Sequence, residues 1–220
     1  MAAKEYRFMY GKAEIPFNLD PQMVMGELTI KDHPPLKDPV AEIQKAIRNP
    51  IQSKPFREIV KPGQTVCFLV NDPTRVANSH VFMPILLNEL NSAGIPDKDM
   101  FIMFAVGAHR LLPAEEMAQL VGAETAKRVK MYNSDARNPK EFKYAGRTSR
   151  GNDVYFHKRA MEADHNICTG SIVYHFFAGF GGGRKAMFPG VTQYESSCRN
   201  HARMLEPGAV IGKLKGNPAY

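Results

Sequence analysis

The sequence predicts an α/β fold, in which a largely parallel sheet with flanking helices follows a small β-rich N-terminal extension. Short continuous apolar runs alternate along the chain with longer segments whose apolar residues recur at helical spacing. Glycine, proline and asparagine separate the two kinds of segment. Strands that alternate with helices form βαβ units, and such units build parallel sheets of the Rossmann-like kind.

The N-terminal extension is predicted to span residues 1–60 and to pack on the core. Residues 6–10 and 13–17 flank a Gly-Lys turn and are predicted to pair as an antiparallel hairpin. Residues 40–48 are predicted to form a short helix, because their apolar side chains share one face at helical spacing. Pro50 ends this helix, since the residue before a proline avoids helical geometry.

Residues 61–220 are predicted to form the α/β core. The predicted strands are 66–70, 100–106, 128–132 and 166–173, and the predicted helices are 79–91, 113–121 and 192–205. The first of these strands is apolar throughout, which is typical of a strand that is buried on both faces. Pro113 suits the first turn of its helix, because that position needs no backbone donor. Residues 147–156 alternate around a glycine turn and are predicted to form a hairpin.

Composition places the chain among soluble globular proteins. Hydrophobic residues make up 44% and charged residues 23% of the sequence, which are ordinary values for that class. We find no apolar run long enough to cross a membrane and no signal peptide at the N-terminus. Cys67, Cys168 and Cys198 form no CxxC pair, and we interpret them as buried apolar residues. A cytoplasmic protein without a membrane partner is therefore expected.

The formal net charge of +7 leaves two interpretations open. It is either a solvated basic surface or a means of attracting small anions such as carboxylates and phosphates. Nucleic acid is not an expected partner, because the basic residues are scattered and form no DNA- or RNA-binding motif.

Polar clusters follow three of the predicted strands. Residues 71–75 follow the first core strand, residues 107–110 follow the second, and Tyr174-His175 follow the last. Ligands of parallel α/β sheets collect beyond the carboxyl ends of the strands. The three clusters are therefore predicted to lie on one rim of the sheet and to form a site.

The richest cluster is the glycine segment, residues 174–185, with the sequence YHFFAGFGGGRK. Glycines at this density allow positive φ angles, close approach of the backbone to a ligand, and N–H groups that can hold an anion. In such a cradle Lys185 is either a point charge or, if desolvated, a nucleophile. The segment is not a Walker A loop, because alanine follows the lysine, and it is not a dinucleotide fingerprint, because no G-x-G-x-x-G opens a helix after the first strand.

Each candidate side chain also has a purely structural interpretation. His109 is alternatively a loop histidine packed on the next helix, His175 a satisfied core histidine, Lys185 a solvated lysine, and His201 a surface or core residue of its helix. Asp72 and Arg75 either form an ion pair within their loop, or Arg75 clamps a substrate carboxylate. Asp72 or Thr74 also suits the cap of the turn that follows.

Together these segments resemble the N-terminal domain of the nickel-dependent lactate racemase family. The matching segments are 72–75 (DPTR), 107–110 (GAHR), 175–185 (HFFAGFGGGRK), Pro189-Gly190 and His201. The resemblance covers the chain from about residue 65 onward, and the glycine segment is its most specific part. It implies that residues 61–220 bind a cofactor and that the family's second, C-terminal domain is absent from this chain.

The resemblance also implies a nickel-pincer nucleotide as cofactor, a pyridinium mononucleotide whose two thiocarbonyl arms hold the metal. Lys185 would attach it covalently through a thioamide, and His201 would be the protein ligand to nickel. His109 and His175 would be the acid–base pair, and Arg75 would hold the substrate carboxylate. The further cofactor-binding residues would be Asp72, Thr74, Gly181, Gly182, Gly183 and Arg184.

The activity that the resemblance implies is racemisation or epimerisation of a 2-hydroxy acid, with lactate as the leading candidate. Hydride removal to the cofactor, while a histidine takes the hydroxyl proton, avoids a carbanion beside a carboxylate. An unperturbed histidine pKa of roughly 6.5 suits proton transfer in both directions. The expected partners are a small 2-hydroxy acid and the proteins that build the cofactor.

Two other functions stay open. Family members often have further acidic residues before the threonine and a proline after the arginine, and the segment 71–77 (NDPTRVA) departs from that pattern. One alternative is an enzyme of another class that binds a phosphate ester or nucleotide in the glycine cradle. Tight nucleotide binding without nickel would favour this alternative. The other is a non-catalytic module that carries the cofactor, which cofactor attachment without turnover would favour.

Overall fold

The computed structural model of the protein describes residues 3–220. Contacts between Cα atoms divide the chain into two units, Met1–Lys37 and Asp38–Tyr220. The first unit contains an antiparallel hairpin formed by β1 (Lys4–Tyr10) and β2 (Ala13–Leu19), where the sequence predicts one. Gly11 forms its turn with a φ of +64°, a conformation that costs glycine little.

The centre of the second unit is a four-stranded parallel sheet. Its strands, in spatial order, are β5 (Lys130–Asn133), β4 (Met100–Phe104), β3 (Val66–Val70) and β8 (His165–Cys168). Every neighbouring pair in this sheet is parallel, and Val66 lies opposite both Met100 and His165. The predicted α/β class with a largely parallel sheet is confirmed.

The second unit also contains two antiparallel strand pairs that are separate from the parallel sheet. The predicted hairpin is present as β6 (Phe142–Arg147) and β7 (Asp153–His157). A two-residue pair, β9 (Tyr174–His175) and β10 (Gly179–Phe180), lies inside the glycine segment and folds it back on itself. This pairing places Gly179 opposite His175 and Phe180 opposite Tyr174.

Helices surround the sheet. The α-helices of residues 3–220 are α1 (Pro39–Arg48), α2 (Phe56–Ile59), α3 (Ser79–Ser92), α4 (Ala114–Val121), α5 (Ala123–Arg128), α6 (Lys158–Glu162) and α7 (Tyr194–His201). The sequence predicts α1, α3, α4 and α7. It misses the three shortest helices, because four to six residues are too few to show a helical period.

None of the helices described in residues 3–220 is long and apolar enough to cross a membrane.

The sheet is buried on both faces because its central strands are apolar throughout. Successive residues of a strand point to opposite faces. Phe68 accordingly lies in a hydrophobic cluster with α3 and α4, and Leu69 lies in a second cluster with α6 and residues 186–191. Both side chains are fully buried. The chain directly after the glycine segment therefore packs on the sheet itself, which gives the candidate site a rigid base.

Several details of the second unit differ from the sequence-based expectation, including the ends of most strands and helices by a few residues. The observed division falls after Lys37 rather than after residue 60, because α1 packs on α3 within the second unit. Strand β8 ends at Cys168 rather than at residue 173, because Gly170 leaves the extended conformation with a φ of +145°. Cys67 is buried as expected, but Cys168 and Cys198 are exposed.

Candidate functional site

A cavity of about 620 Å³ lies beyond the carboxyl ends of β3, β4 and β8. The loops that follow these strands, the glycine segment and α7 form its walls. The predicted site residues that line it are Asp72, Thr74, Arg75, His109, His175, Gly181, Gly182, Lys185 and His201. The three polar clusters, far apart in sequence, thus meet at one edge of the sheet.

Gly183 and Arg184 are the two predicted site residues that do not line this cavity. The guanidinium of Arg184 lies over the ring of Tyr220, 3.6 Å from its centroid. Its Nε and Nη2 atoms are buried and have no hydrogen-bond partner within residues 3–220. In this conformation Arg184 acts on the cavity through its charge and not through direct contact.

Asp72 is buried at the end of β3 and fixes the ring of His109. One carboxylate oxygen accepts hydrogen bonds from the backbone N–H and the hydroxyl of Thr74, at 2.8 and 2.5 Å. The other oxygen lies 2.6 Å from His109 Nδ1. Burial raises the pKa of Asp72, but the hydrogen bonds from Thr74 and His109 together outweigh it, so the pKa is lowered.

The Asp72 carboxylate determines what His109 presents to the cavity. An ionised carboxylate only accepts hydrogen bonds, so Nδ1 of His109 carries a proton, and in the neutral ring Nε2 has a lone pair. That nitrogen can accept a proton from a ligand. The alternative ion pair between Asp72 and Arg75 does not form, and Arg75 has no acidic partner within residues 3–220. The Arg75 guanidinium is therefore available for a carboxylate.

His175 is held by aromatic packing and by one backbone hydrogen bond. Its ring stacks on Phe176 and meets Phe177 edge-on, with centroids 5.1 and 4.5 Å apart. The N–H of Ala178 donates to His175 Nδ1 at 3.2 Å. The neutral ring therefore carries its proton on Nε2 and can donate it. The two neutral imidazoles therefore differ in tautomer, because Nε2 has a lone pair in His109 and carries a proton in His175.

The pKa of His175 differs from the ordinary value expected from the sequence. Burial, followed by the charges of Lys185, Arg75 and His201, lowers the pKa of His175 to about 4. The ring is consequently neutral at neutral pH, which preserves the tautomer described above.

Lys185 projects a partly desolvated amine into the cavity. Burial, followed by the charges of Arg184 and Arg75, lowers the pKa of Lys185 to about 8. Its Nζ lies 5.7 Å from the centroid of the Phe177 ring and forms no ion pair within residues 3–220. A lysine with a lowered pKa and no acidic partner can act as a nucleophile when its amine is neutral.

His201 is turned toward the cavity by its own helix. Its Nδ1 donates to the carbonyl oxygen of Ser197, one turn earlier in α7, at 2.7 Å, which leaves the Nε2 lone pair free for a metal. No group of three His, Cys, Asp or Glu side chains within residues 3–220 is placed to hold a metal ion. A metal bound at His201 would therefore need donor atoms from a bound group.

Sequence reasoning missed the other residues of α7 that line the cavity, which are Tyr194, Ser197 and Cys198. Cys198, Ser197 and Tyr194 lie three, four and seven positions before His201, so all of them share its helix face. Helical spacing from His201 could have identified them, since the helix itself was predicted.

We expect substitution of Gly182 by alanine to destabilise the site more than the same change at Gly183. Gly182 has φ +72° and ψ −173°, a region that costs other residues about 1–3 kcal/mol, and its new Cβ would collide with the carbonyl of Ser171. Gly183 also has a positive φ, of +52°, but a Cβ there would meet no atom within 4 Å. Denaturant unfolding of both variants isolates the effect of the collision. Equal free energies of unfolding would show that the cradle accommodates the extra methyl group.

Comparison with known proteins identifies the family. Residues 10–212 match the family model described as the lactate racemase N-terminal domain. The chain is 29% identical over 215 residues to a lactate racemase of Thermoanaerobacterium thermosaccharolyticum and 31% identical over 216 residues to one of Lactiplantibacillus plantarum. Each comparison covers 96% of this chain and 50% of the relative. The chain therefore spans about half the length of these curated relatives.

Solved structures agree with this comparison. The lactate racemase apoprotein from T. thermosaccharolyticum superposes with a TM-score of 0.84 at 28% identity, over 98% of this chain and 51% of that one. A Thermotoga maritima protein shares the fold, with a TM-score of 0.62 at 20% identity, over 82% of this chain and 45% of that one. The chain belongs to the lactate racemase family and corresponds to the N-terminal domain of its members.

Proposed function

We propose that this chain is the cofactor-binding half of a 2-hydroxy-acid racemase or epimerase, with lactate as the first substrate to test. The observation that carries the proposal is the pairing of His109 and His175 in one cavity with opposite proton states. A racemase needs a group that removes a proton on one side of its substrate and another that supplies a proton on the other side. The family and its named relatives support the same function.

In the proposed reaction the histidines exchange the hydroxyl proton of the substrate. His109 Nε2 accepts it from one enantiomer, while Asp72 stabilises the imidazolium through its 2.6 Å hydrogen bond to Nδ1. In its imidazolium form, His175 donates the proton that forms the hydroxyl of the other enantiomer, and its ring returns to the neutral state. Arg75 holds the carboxylate through its fork of donors, so that the reacting carbon stays between the two rings.

The residues present fit a nickel-pincer nucleotide. The amine of Lys185 is the natural point of covalent attachment, because it is nucleophilic and has no acidic partner. His201 offers a free Nε2 as the protein ligand to nickel, and a cofactor that brings its own sulfur donors would supply the remaining ligands. Asp72, Thr74 and the glycine segment would border the bound nucleotide. When bound, this cofactor supplies the acceptor for the hydride of the substrate.

Arg184 needs a different assignment from the one implied by the resemblance. Because its guanidinium packs on Tyr220 and does not line the cavity, we assign it to tuning the charge near Lys185 rather than to holding the cofactor. Gly183 likewise serves the turn of the backbone instead of touching the cofactor.

A second domain would complete the site. The curated relatives are about twice as long as the matched region, and three apolar side chains that line the cavity are exposed by 51 to 82%, namely Val76, Val173 and Tyr174. Such exposed apolar groups beside a catalytic cavity are suited to burial under another domain. The site would then lie in a cleft between two domains.

The proposal is tested by producing the protein together with the cofactor-building enzymes. We expect mass spectrometry to find an added group on the peptide that contains Lys185, and metal analysis to find about one nickel per chain. Chiral chromatography should show that L-lactate becomes the racemic mixture. Other 2-hydroxy acids, assayed in the same way, define the specificity.

The outcomes separate the alternatives. A nickel-loaded protein that racemises none of the tested 2-hydroxy acids would support the non-catalytic module instead. An unmodified Lys185 together with tight binding of a nucleotide would support an enzyme of another class.

A further inference from the structure

The amine of Lys185 has the properties of an imine-forming lysine even before any cofactor is attached. It is partly desolvated, it faces a cavity of about 620 Å³, and no carboxylate within residues 3–220 pairs with it. The neighbouring cations Arg75 and Arg184 disfavour its protonated form. Lysines that are desolvated or lie near other cations form Schiff bases with carbonyl compounds.

The same cavity contains the groups that select one class of carbonyl compound. Arg75 also lines it and has no acidic partner within residues 3–220, so it can bind a carboxylate. His175 presents an N–H on Nε2, which can donate a hydrogen bond to a carbonyl oxygen. A ligand that satisfies these three groups carries both a carbonyl group and a carboxylate. That description fits small 2-keto acids.

We propose that the cofactor-free protein captures small 2-keto acids as an imine on Lys185. The lone pair of the neutral amine attacks the keto carbon, and one of the two amine protons moves, through solvent, to the carbonyl oxygen, which gives a carbinolamine. The carbinolamine hydroxyl then leaves as water with the second nitrogen proton, which leaves the imine, so no oxidant or reductant is needed. The carboxylate of the keto acid stays on Arg75 throughout.

This activity goes beyond the proposed racemase and needs neither nickel nor a second domain. It also has a consequence for cofactor loading, because the imine and the cofactor would use the same nitrogen. A 2-keto acid at sufficient concentration would protect the empty site and slow the attachment of the cofactor.

The experiment is reductive trapping of the cofactor-free chain. The protein is incubated with pyruvate and cyanoborohydride, and its intact mass and peptides are analysed. We expect one reduced pyruvate adduct per chain, located on Lys185. The adduct should be absent in Lys185→Gln and unchanged in Lys143→Gln, which alters an exposed lysine of β6. Circular dichroism of both variants establishes that they are folded.

Two further arms test the roles of Arg75 and of the amine. Arg75→Gln should raise the pyruvate concentration needed for half-maximal trapping roughly tenfold or more, since a hydrogen bond between charged groups is lost. Loss of the Arg75 charge also favours the protonated form of Lys185, which slows trapping of every carbonyl compound alike. The ratio of pyruvate to propanal trapping should therefore fall in this variant, because propanal has no carboxylate. Initial trapping rates should rise with pH up to about 8, where the amine becomes neutral.

Trapping spread over exposed lysines, or trapping at Lys185 that is equal for pyruvate and propanal in the parent chain, would overturn the proposal. Its failure is distinguishable from failure of the racemase assignment. A protein that loads nickel cofactor on Lys185 but never forms the imine refutes only the capture of keto acids. A protein that forms the imine but never loads the cofactor refutes only the cofactor assignment.

Discussion

Alanine in place of Lys185 is expected to abolish retention of the nickel cofactor. Our assignment gives the cofactor a single covalent anchor, and the nitrogen of Lys185 is the nucleophile of the cavity with a lowered pKa, of about 8. Without this nitrogen only His201 Nε2 and weak contacts in the glycine cradle would remain. The measurement is nickel per chain after co-production with the cofactor-building enzymes and desalting. It should fall from about one to background.

Two control variants make this result specific. Lys185→Arg keeps a positive charge at the position but removes the amine that forms a thioamide, so it should lose nickel as completely as Lys185→Ala. Lys143→Ala changes an exposed lysine of β6 and should load normally. Normal nickel loading of Lys185→Ala would contradict the covalent attachment. Nickel retention in Lys185→Arg but not in Lys185→Ala would show that a positive charge at this position is enough to hold the cofactor.

The meeting of the candidate residues at one edge of the sheet could be predicted from the sequence, because a parallel sheet imposes it. Apolar runs such as Val66–Val70 identify buried strands without any knowledge of their partners. Once these strands are parallel, the residues that follow them must share an edge, which brings Asp72 and His109 together across 37 positions. The resemblance to the family added the roles that spacing alone leaves open.

What the sequence could not predict depends on side-chain direction and local environment. Arg184 is adjacent to Lys185, yet its guanidinium packs on Tyr220 while the lysine amine faces the cavity. Adjacent residues diverge in the 3₁₀ turn at Gly183–Ala186, and their directions follow from backbone angles that glycine leaves unconstrained. The lowered pKa of His175 likewise arises from burial, followed by the charges of Lys185 and Arg75, which lie on other elements.

Removal of His175 is expected to stop racemisation while leaving nickel bound. The two imidazoles serve opposite enantiomers in our proposal, so either His175→Ala or His109→Ala should lower steady-state racemisation about 10²- to 10⁴-fold. Neither side chain anchors the cofactor, and nickel per chain should stay near that of the parent protein. The two histidines have different supports, an Asp72 carboxylate for one and the Ala178 N–H for the other. They are therefore not interchangeable.

The decisive measurement is a single-turnover experiment with each pure enantiomer of lactate in the two variants. Each variant keeps one histidine and should still convert one enantiomer to pyruvate, because the remaining ring can accept that hydroxyl proton. For His175 this requires its own proton to move from Nε2 to Nδ1, with loss of the hydrogen bond from the Ala178 N–H. The preferred enantiomer should be opposite in His175→Ala and His109→Ala, so each variant is the control for the other. The same preference in both would assign the exchange of the hydroxyl proton to one histidine, and unchanged rates would remove both from it. A reversed preference instead requires one proton acceptor on each side of the reacting carbon, which is the arrangement that an enzyme needs to invert its substrate in both directions.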